Sequence, residues 1–391
     1  MMRKNYTCGI DIGTHTTKVV IVRVDDSNNL SLIATGTAQT SGMRRGYIIN
    51  TDLVAKSIKE AVASAEKVAG FKIKRAFVSV GGISLSSVVS SGSVVISKAD
   101  QEITNLDVSK AITLAEENLD LLNKKVIHTI PLAYKLDGKE IYTRPEGMRG
   151  AKLDAKVLFV TCLKQNLDDI ATAFVIAKIE IEDVIASPIA ESLILLTPKQ
   201  MAAGCALVNI GYETVSLACF ENNLLISLKV FPLGSMDITK DIALGLQISL
   251  EEAESIKLGS VIGGNYSKKK IDEIIEARLS DIFELVENHL KRLKRNELLP
   301  AGVIFTGGGT YIKNIEDLAK VQLKLPIRIG PAEGTINNKY KVRDASWYTA
   351  LGLVLTSQNS FFENEPTKIT TRNIKEKMKS IFKQLFSQLL P

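Results

Sequence analysis

Hydrophobic residues fall into two alternating patterns along most of this chain. Short apolar runs rich in β-branched residues, typical of buried strands, alternate with stretches whose apolar residues recur every three or four positions, typical of helices. Near the start, the pattern predicts strands at residues 6–12, 17–24, 30–37 and 75–80, with an amphipathic helix at 52–69. This alternation indicates the α/β class.

The pattern changes between residues 84 and 162. A Ser-rich alternation up to residue 96 precedes a predicted helix at 107–122 and short strands around 125–135 and 155–162. We expect an inserted α+β module here, because the segment is of domain size. From residue 204 the α/β pattern resumes, helices dominate residues 236–295, and a strand at 303–306 closes the sheet.

One segment of the chain occurs twice. CGIDIGTHTTKVVIV at residues 8–22 returns as ALVNIGYETVSLACF at residues 206–220, at an offset of 198 residues that places Gly13 over Gly211. Each copy predicts two strands joined by a short polar loop, and a glycine at the tip lets a ligand approach the backbone closely. Two such hairpins facing each other would offer backbone N–H groups and hydroxyls to a phosphate chain.

The first copy carries charged side chains on its hairpin. Asp11 at the strand end can hold a hydrated Mg²⁺, because this ion keeps its waters while it bridges phosphate oxygens. Lys18 would supply a positive charge to the phosphates or is an outward strand residue, and its spacing leaves both readings open. His15 contacts a phosphate or makes a local hydrogen bond, and these readings also stay open.

A third glycine cluster, Gly307, Gly308 and Gly309, follows the apolar run AGVIFT and precedes the helical pattern IKNIEDLAKVQ. Such a run lets a flat base lie against bare backbone, with amides pointing at its phosphates. An ordinary turn explains three adjacent glycines less well, because they cost conformational entropy. In LEEAESIKLGS, Glu254 and Lys257 share one helix face and would grip a ribose or form a surface ion pair.

Together these segments resemble the superfamily of actin, Hsp70 and the sugar kinases. In this resemblance residues 11–18 and 209–215 are two phosphate loops, 307–309 is the adenosine loop, and 187–193 and 344–355 are connecting helices. It implies an α/β fold with two duplicated lobes, each with a mixed sheet and flanking helices, that bind ATP and Mg²⁺ between them. The residues implied for the nucleotide are Asp11, Gly13, Thr14, His15, Thr16, Thr17, Lys18, Gly211, Tyr212, Glu213, Thr214, Glu254, Lys257, Gly307, Gly308, Gly309 and Ile312, with Asp11 holding Mg²⁺ through water.

Within that superfamily, residues 44–82 and 128–161 resemble the FtsA family of bacterial cell-division proteins. The resemblance implies a protein that polymerises with copies of itself on the inner face of the cell membrane, at the division septum. It would tether FtsZ filaments there and contact later division proteins through an inserted SHS2-type subdomain. Arg278 is the candidate contact for the acidic C-terminal peptide of FtsZ.

The same resemblance predicts how the chain divides. The expected parts are a first lobe core (1–83 with 163–196), the inserted subdomain (84–162), a second lobe core (197–233 with 302–356), a helical subdomain (234–301), a linker (357–371) and a terminal helix (372–391).

Two departures from the superfamily pattern bear on ATP hydrolysis. Asn209 stands where many relatives carry a metal-directing Asp, and a neutral amide implies weaker handling of Mg²⁺. Ser187 stands before Pro188, where Hsp70-like relatives often carry a carboxylate, and Glu191 is the nearby candidate for orienting the attacking water. We therefore expect ATP to act mainly as a structural or switching ligand, with slow or absent hydrolysis.

The last 20 residues, RNIKEKMKSIFKQLFSQLLP, predict an amphipathic helix after a polar linker. Residues 357–391 hold six Lys or Arg and three Glu, which gives them half of the chain's net charge of +6. A basic terminal helix of this kind lies in anionic lipid headgroups, and packing against its own protein is the alternative. The residues predicted to meet the membrane are Ile374, Met378, Ile381, Phe382, Lys383, Leu385, Phe386 and Leu389.

Composition limits the classes of function. The 391 residues are 45% hydrophobic and 24% charged, and without an apolar run of about 18 residues we expect a cytoplasmic protein with no membrane span. Acidic residues interrupt the basic clusters at 268–270 and 291–295, so nucleic acid is not an expected partner. Two alternatives remain: an actin-like pilus-assembly protein of the PilM type, which the basic tail disfavours, and a metabolite kinase, for which no catalytic Asp is evident.

Overall fold

The computed structural model describes residues 6–24, 30–141, 143–259, 266–330 and 344–356. Its strands are β1 (Tyr6–Ile12), β2 (Thr16–Val24), β3 (Leu30–Gln39), β4 (Met43–Arg44), β5 (Tyr47–Ile48), β6 (Arg75–Val80), β7 (Ser86–Val95), β8 (Lys124–Leu136), β9 (Lys139–Ile141), β10 (Lys152–Leu163), β11 (Glu180–Ala186), β12 (Cys205–Ile210), β13 (Val215–Glu221), β14 (Leu224–Phe231), β15 (Val303–Thr306) and β16 (Ile327–Ile329). Its helices are α1 (Thr51–Ala69), α2 (Asn105–Glu117), α3 (Lys164–Ala177), α4 (Ser187–Leu195), α5 (Pro198–Ala203), α6 (Ser235–Leu246), α7 (Leu250–Lys257), α8 (Lys268–Arg292), α9 (Ile315–Leu323) and α10 (Tyr348–Leu355), with single 3-10 turns at Gly308–Tyr311 and Ala345–Trp347.

The first sheet has five strands in the order β11-β6-β1-β2-β3. The antiparallel hairpin β1–β2 extends to β3, while β6 and β11 run parallel to β1. A Cβ on Gly9 of β1 would meet the α10 backbone, and one on Gly36 of β3 would meet the α1 backbone. Gly9 pairs with Val20 and Gly36 with Val19, and adjacent strand residues point to opposite faces. The two helices therefore cover opposite faces of this sheet.

The second sheet repeats that order. Its first five strands run β16-β15-β12-β13-β14, with β12–β13–β14 antiparallel and β12, β15 and β16 parallel. Helices α6, α8 and α9 supply apolar side chains to the core on this sheet, where Phe283 and Phe305 meet edge to face with centroids 5.7 Å apart. The strand order of the two halves is thus the same.

The second sheet does not stop at β14. It continues through β7, β10, β8 and β9, which belong to the segment between the two halves. The seam is narrow: Lys229 of β14 pairs with Ser86 of β7, and the Ser87 hydroxyl bonds both the N–H (2.7 Å) and the C=O (3.3 Å) of Leu228. On the other side, Nε2 of the buried His128 in β8 accepts from the Ala186 N–H (3.0 Å) at the end of β11. This segment therefore touches both halves.

The strands predicted at residues 6–12, 75–80 and 303–306 have the observed bounds of β1, β6 and β15, and the predicted amphipathic helix is α1. The helix predicted at 107–122 is wrong at both ends. It begins at Asn105, after Thr104 and Asp107 form a capping box, and it ends at Glu117. Leu122, with a φ of +31° and a largely exposed side chain, lies in the turn before β8. Residues 357–391, with the predicted membrane helix, lie outside the described residues.

Candidate functional site

A cleft of about 290 Å³ lies between the two halves and receives both predicted hairpin tips. At the first tip the Gly13 N–H donates to the Thr16 carbonyl at 3.1 Å, and at the second the Gly211 N–H donates to the Thr214 carbonyl at 2.9 Å. The same turn therefore closes both hairpins. The volume is near the lower end of the range usual for small-molecule pockets.

The third glycine cluster forms one wall of the cleft at the end of β15. Gly307 has a φ of +91°, and a Cβ there would lie 2.2 Å from Asn209 Oδ1 and 2.5 Å from the Ile210 carbonyl oxygen. Apart from its two chain neighbours, no described residue has a heavy atom within 4 Å of the Cβ position of Gly308. Only glycine fits the backbone at 307, because the left-handed region and the contact both exclude a side chain. Position 308 is instead open to a ligand.

Asp11 and Lys18 face each other across the first hairpin, since they are paired residues of β1 and β2. Asp11 Oδ1 accepts from the Ser79 hydroxyl at 2.7 Å, and Lys18 Nζ donates to Thr16 Oγ1 at 2.7 Å. Burial raises the pKa of Asp11 and lowers the pKa of Lys18, and in each case the charge of the other residue opposes the shift. The first half thus brings one anion and one cation to the cleft.

The second half has neutral residues at the same places. Asn209 pairs with Ser216 across β12 and β13, as Asp11 pairs with Lys18. A carboxylate reaches Asn209 from α4, because Glu191 Oε1 accepts from its Nδ2 and also, at 2.6 Å, from the Thr349 hydroxyl of α10. Glu191 is only 1% exposed, and burial raises its pKa to about 7. This side chain joins both connecting helices to the second hairpin.

Glu254 and Lys257 line the same cleft from α7. The Lys257 side chain is 3% exposed, and its Nζ lies 2.7 Å from Glu254 Oε2, 2.9 Å from Thr239 Oγ1 and 3.2 Å from the Ser235 carbonyl oxygen. The reading of this pair as a surface ion pair is therefore wrong for the lysine, which is buried. Lys257 and the Thr239 hydroxyl both donate to Glu254 Oε2 and so hold this carboxylate at the cleft wall.

The two halves also touch at the cleft mouth. The rings of His15 and Tyr212, one from each hairpin tip, stack with centroids 4.5 Å apart. The Arg45 N–H, in the turn between β4 and β5, donates to Glu213 Oε2 at 2.5 Å. The second tip is anchored below, where the Ser235 and Met236 N–H groups at the start of α6 donate to the carbonyls of Gly211 and Tyr212.

Most of the residues predicted for the nucleotide line this cleft: Asp11, Gly13, Thr14, His15, Thr16, Lys18, Gly211, Tyr212, Thr214, Glu254, Lys257, Gly307 and Gly308. Four others lie elsewhere. Thr17 is fully buried and its hydroxyl lies 2.8 Å from that of Thr40, while Glu213 holds the Arg45 amide. Gly309 packs against the Ile210 side chain, and Ile312 is buried in the second core.

Several other lining residues were not predicted to contact the nucleotide. They include Gly46, Gly81, Gly82, Ser216, Ser235, Ser346 and Thr349, whereas Asn209, Ser187 and Pro188 were named from the sequence as departures from the superfamily pattern. The duplication could have found Ser216, because the offset of 198 residues maps it onto Lys18. Gly81 follows β6 as Gly307 follows β15, and both strands run parallel to the first strand of their hairpin.

Chemically, the cleft combines two glycine-tipped turns, hydroxyl groups, two lysines and three acids. The turns and hydroxyls suit a phosphorylated ligand, and the glycine run suits a flat base. Within the described residues, no three His, Cys, Asp or Glu side chains cluster closely enough to hold a metal ion by themselves. A divalent cation here would take the rest of its ligands from water and phosphate, as Mg²⁺ commonly does.

Arg278, the candidate contact for an acidic peptide, lies on α8, away from the cleft. Its guanidinium binds Asp241 with two hydrogen bonds of 2.6 and 3.1 Å, and Nη1 lies 3.1 Å from Asp281 Oδ2. These carboxylates raise the pKa of Arg278, with the Asp241 hydrogen bonds contributing most. An acidic ligand would have to compete with two carboxylates already in place. Among the helices of the described ranges, none has the length and apolar character to cross a bilayer.

Comparison with known proteins gives the family. The family model described as "Cell division protein FtsA" matches residues 206–352, and the model described as "SHS2 domain inserted in FTSA" matches residues 82–161. Cell division protein FtsA of Bacillus subtilis (strain 168) is 31% identical over 366 residues, covering 88% of this chain and 82% of that protein. FtsA of Pseudomonas aeruginosa is 28% identical over 368 residues, covering 89% and 88%.

Solved structures agree on the fold. A structure described as a PilM-PilN type IV pilus biogenesis complex superposes with a TM-score of 0.66 at 16% identity, covering 90% of this chain and 98% of that chain. The ethanolamine utilization protein EutJ from Carboxydothermus hydrogenoformans gives 0.54 at 15% identity, covering 90% and 89%. The fold is the actin-like α/β fold predicted from the sequence, with its inserted SHS2 domain. The chain belongs to the FtsA family of bacterial cell-division proteins.

Proposed function

We propose that this protein binds ATP with Mg²⁺ in the cleft between its halves and links FtsZ filaments to the cytoplasmic membrane at the division site. The observation that carries the nucleotide part is the meeting of two equivalent glycine-tipped hairpins in one cleft, opposite the glycine run at 307–308. Membership of the FtsA family supports the role in division.

In this proposal the two turns bind the phosphates, and Gly308 leaves room for the base beside bare backbone. Asp11 would hold the cation through water and Lys18 would offset phosphate charge. Bound Mg²⁺ would supply charge neutralisation between the phosphates, while these side chains position it. Glu254, fixed by Lys257, would accept a hydrogen bond from a ribose hydroxyl. Hydrolysis is proposed to be slow or absent.

Nucleotide binding is tested with a fluorescent ATP analogue and the full chain. Wild type should bind, and Gly308→Val should bind at least tenfold more weakly, because its side chain fills the open space in the cleft. Urea unfolding of Gly308→Val is the control and should match wild type, since among the described residues no heavy atom outside the two chain neighbours lies within 4 Å of the Cβ position. Equal affinity of wild type and Gly308→Val, or no binding by wild type, would overturn this part.

The membrane part rests on the sequence of residues 372–391, which combines one apolar stripe with basic residues. Interfacial helices of this composition bind anionic bilayers reversibly, at about 1 kcal/mol per basic residue near the surface. Polymerisation would make the attachment firm, because many tails act together. Flotation with anionic vesicles should recover the full chain and leave a chain lacking residues 373–391 in solution. Equal flotation would remove the tether.

The FtsZ part is tested by co-sedimentation with the acidic C-terminal peptide of FtsZ, with and without ATP. Arg278→Ala should lose binding if the guanidinium exchanges Asp241 for a peptide carboxylate. Arg295→Ala is the control, because Arg295 likewise forms an ion pair, with Glu221, at a different place in the second half. Unchanged binding by Arg278→Ala would show that the peptide binds elsewhere.

The same proposal includes two further points. The inserted domain recruits later division proteins, and the chain divides into the six parts with the predicted boundaries.

A further inference from the structure

Glu191 has one oxygen without a partner in the interior of the protein. Oε1 accepts from Asn209 and Thr349, while Oε2 is buried and has no hydrogen-bond partner among the described residues. The side chain lines the cleft wall and is 1% exposed. An unpaired buried carboxylate oxygen is costly, so a site that keeps one points to a positive group missing from the protein itself.

Within the part of the chain that the structure describes, the side chains that bond Glu191 do not supply that charge. Its two hydrogen-bond donors, Asn209 and Thr349, are neutral. Of the lysines that line the cleft, Lys18 donates to Thr16 and Lys257 is engaged by Glu254. The Asp11 carboxylate is near enough to act electrostatically on Glu191. Two carboxylates, one on β1 and one on α4, therefore approach one region of the cleft.

The duplication explains why the second carboxylate comes from a helix. Asn209 occupies the position in the second hairpin that Asp11 occupies in the first, so the strand end brings no charge there. Glu191 on α4 accepts a hydrogen bond from the Asn209 amide, so it brings a carboxylate to nearly the same place.

We propose that Glu191 is the second carboxylate of a divalent-cation site in the nucleotide cleft, with Oε2 facing the hydrated ion and Asp11 facing it from the first half. This inference rests on the proposed binding of ATP. Mg²⁺ is commonly held by one or two carboxylates, its own waters and substrate phosphates, which matches the two carboxylates present. The weaker handling of Mg²⁺ expected from Asn209 would then not apply, because the charge has moved from residue 209 to residue 191.

The test measures the nucleotide affinity of the full chain in excess Mg²⁺ and in EDTA. The quantity compared is the affinity in Mg²⁺ divided by the affinity in EDTA. Glu191→Gln keeps the shape and the hydrogen-bond acceptor but removes the charge, and it should lower the ratio at least tenfold, as should Asp11→Asn. Adding Asn209→Asp to Glu191→Gln should restore the ratio, because it returns a carboxylate to the equivalent strand position. Glu182→Gln, on β11 and paired with Arg75, is the control and should behave as wild type.

Mn²⁺ electron paramagnetic resonance gives a readout independent of affinity, because the signal of the bound ion reports its immobilisation in the presence of ADP.

If Glu191→Gln does not fold, Glu191→Asp replaces it in the test. This variant keeps the charge but withdraws it by one methylene, and it should lower the ratio several-fold. A wild-type ratio in Glu191→Gln, or in Glu191→Asp where that variant stands in, would overturn the inference while ATP binding stands. Failure of wild type to bind nucleotide in either condition would overturn the proposed function and this inference together.

Discussion

The two halves of the molecule share their strand order and the turn at their hairpin tips, but they differ in the charged residues beside those tips. Both sheets run hairpin, third antiparallel strand and two parallel strands in the same order, and both hairpin tips close with the same N–H to carbonyl bond. At the paired positions below the tip, however, the first half has Asp11 and Lys18 and the second has Asn209 and Ser216. The two copies therefore share their strand order and tip turn, whereas the charged pair of the first copy is replaced by a neutral pair in the second.

The support under each tip differs as well. The first tip is held by the residue that follows β3, because the Thr40 N–H donates to the His15 carbonyl at 2.9 Å. The second rests on the start of α6, and its charged neighbours come from the helices α4 and α7. The carboxylate of Asp11 is thus carried by a central strand, whereas those of Glu191 and Glu254 are carried by helices.

The largest expected effect tests the glycines that follow the equivalent parallel strands. Gly307→Ala should lower the free energy of unfolding by about 2–4 kcal/mol, because a Cβ there meets Asn209 and Ile210 and the φ is positive. Gly81→Ala, in the first half, should change it by no more than about 0.5 kcal/mol, since its Cβ meets only the Ser187 hydroxyl at 3.4 Å. Urea unfolding measures both. Equal costs would show that the two glycines have equivalent surroundings.

The next effect tests the charge difference itself. Asn209→Asp makes the second half match the first, but it sets a second carboxylate against the buried Glu191. Without divalent ions, we expect a loss of about 1–3 kcal/mol in the free energy of unfolding, from like-charge repulsion and a lost donor. The loss should disappear in the Glu191→Gln background, as a double-mutant cycle by urea unfolding would measure. Equal losses in both backgrounds would contradict the contact.

A smaller effect concerns the outer strand of the second half. His289 of α8 lies 2.8 Å from the Ser227 hydroxyl of β14, and burial, with Lys229 and Arg292 nearby, lowers its pKa from 6.5 to about 4. Below pH 6.5 the unfolded chain binds a proton that the folded chain does not take up until about pH 4. The contribution of His289 to stability should therefore be complete above pH 6.5 and fall as the pH drops toward 4.

Because His289 is partly exposed, solvent screening limits this loss to about 1–2 kcal/mol. It is measured as the difference in urea unfolding between pH 7 and pH 4.5, in wild type and in His289→Gln, which cannot take up the proton. The variant should show a shallower pH dependence, and identical profiles would contradict the assigned surroundings.

The smallest effect concerns the contact between the tips. The stacked rings of His15 and Tyr212 should contribute a coupling of about 0.5–1 kcal/mol in a cycle of His15→Ala and Tyr212→Ala. The Tyr6–Phe71 pair, with centroids 4.8 Å apart inside the first half, is the matched reference for a contact that does not cross the cleft. Coupling in the reference pair but not across the tips would mean that the cleft stands open in solution.

Sequence alone predicted the parts of the fold that depend on local pattern. The apolar runs gave β1, β6 and β15 with their observed bounds, because a strand buried on both faces leaves a continuous hydrophobic signal. The end of α2 was missed because Leu119 and Leu122 continue the apolar spacing beyond the helix, although the chain turns at Asn118. The spacing of apolar residues does not show at which residue a helix stops packing against the rest of the protein.

The candidate site was predictable where glycine and the duplication mark it, at Gly13, Gly211 and Gly307. It was not predictable where the contact joins distant segments. Glu191, Asn209 and Thr349 meet only because α4 and α10 cross closely, with Ala190 against Gly352, and no spacing in the sequence encodes that crossing. The burial of Lys257 was missed for the same reason, since an i, i+3 pair looks alike on the surface and in the interior.

The seam between β7 and β14 has a mechanical consequence. The inserted domain is bonded to the first half through His128 and Ala186 and to the second through the Lys229–Ser86 pair and the Ser87 hydroxyl. The strand pairing with the second half is only one ladder pair wide, although β14 also shares a buried apolar core with β8 and β10. A change in the angle between the halves would therefore act on this narrow pairing. Binding of another protein to the inserted domain would then be coupled, through that pairing, to the angle between the two halves.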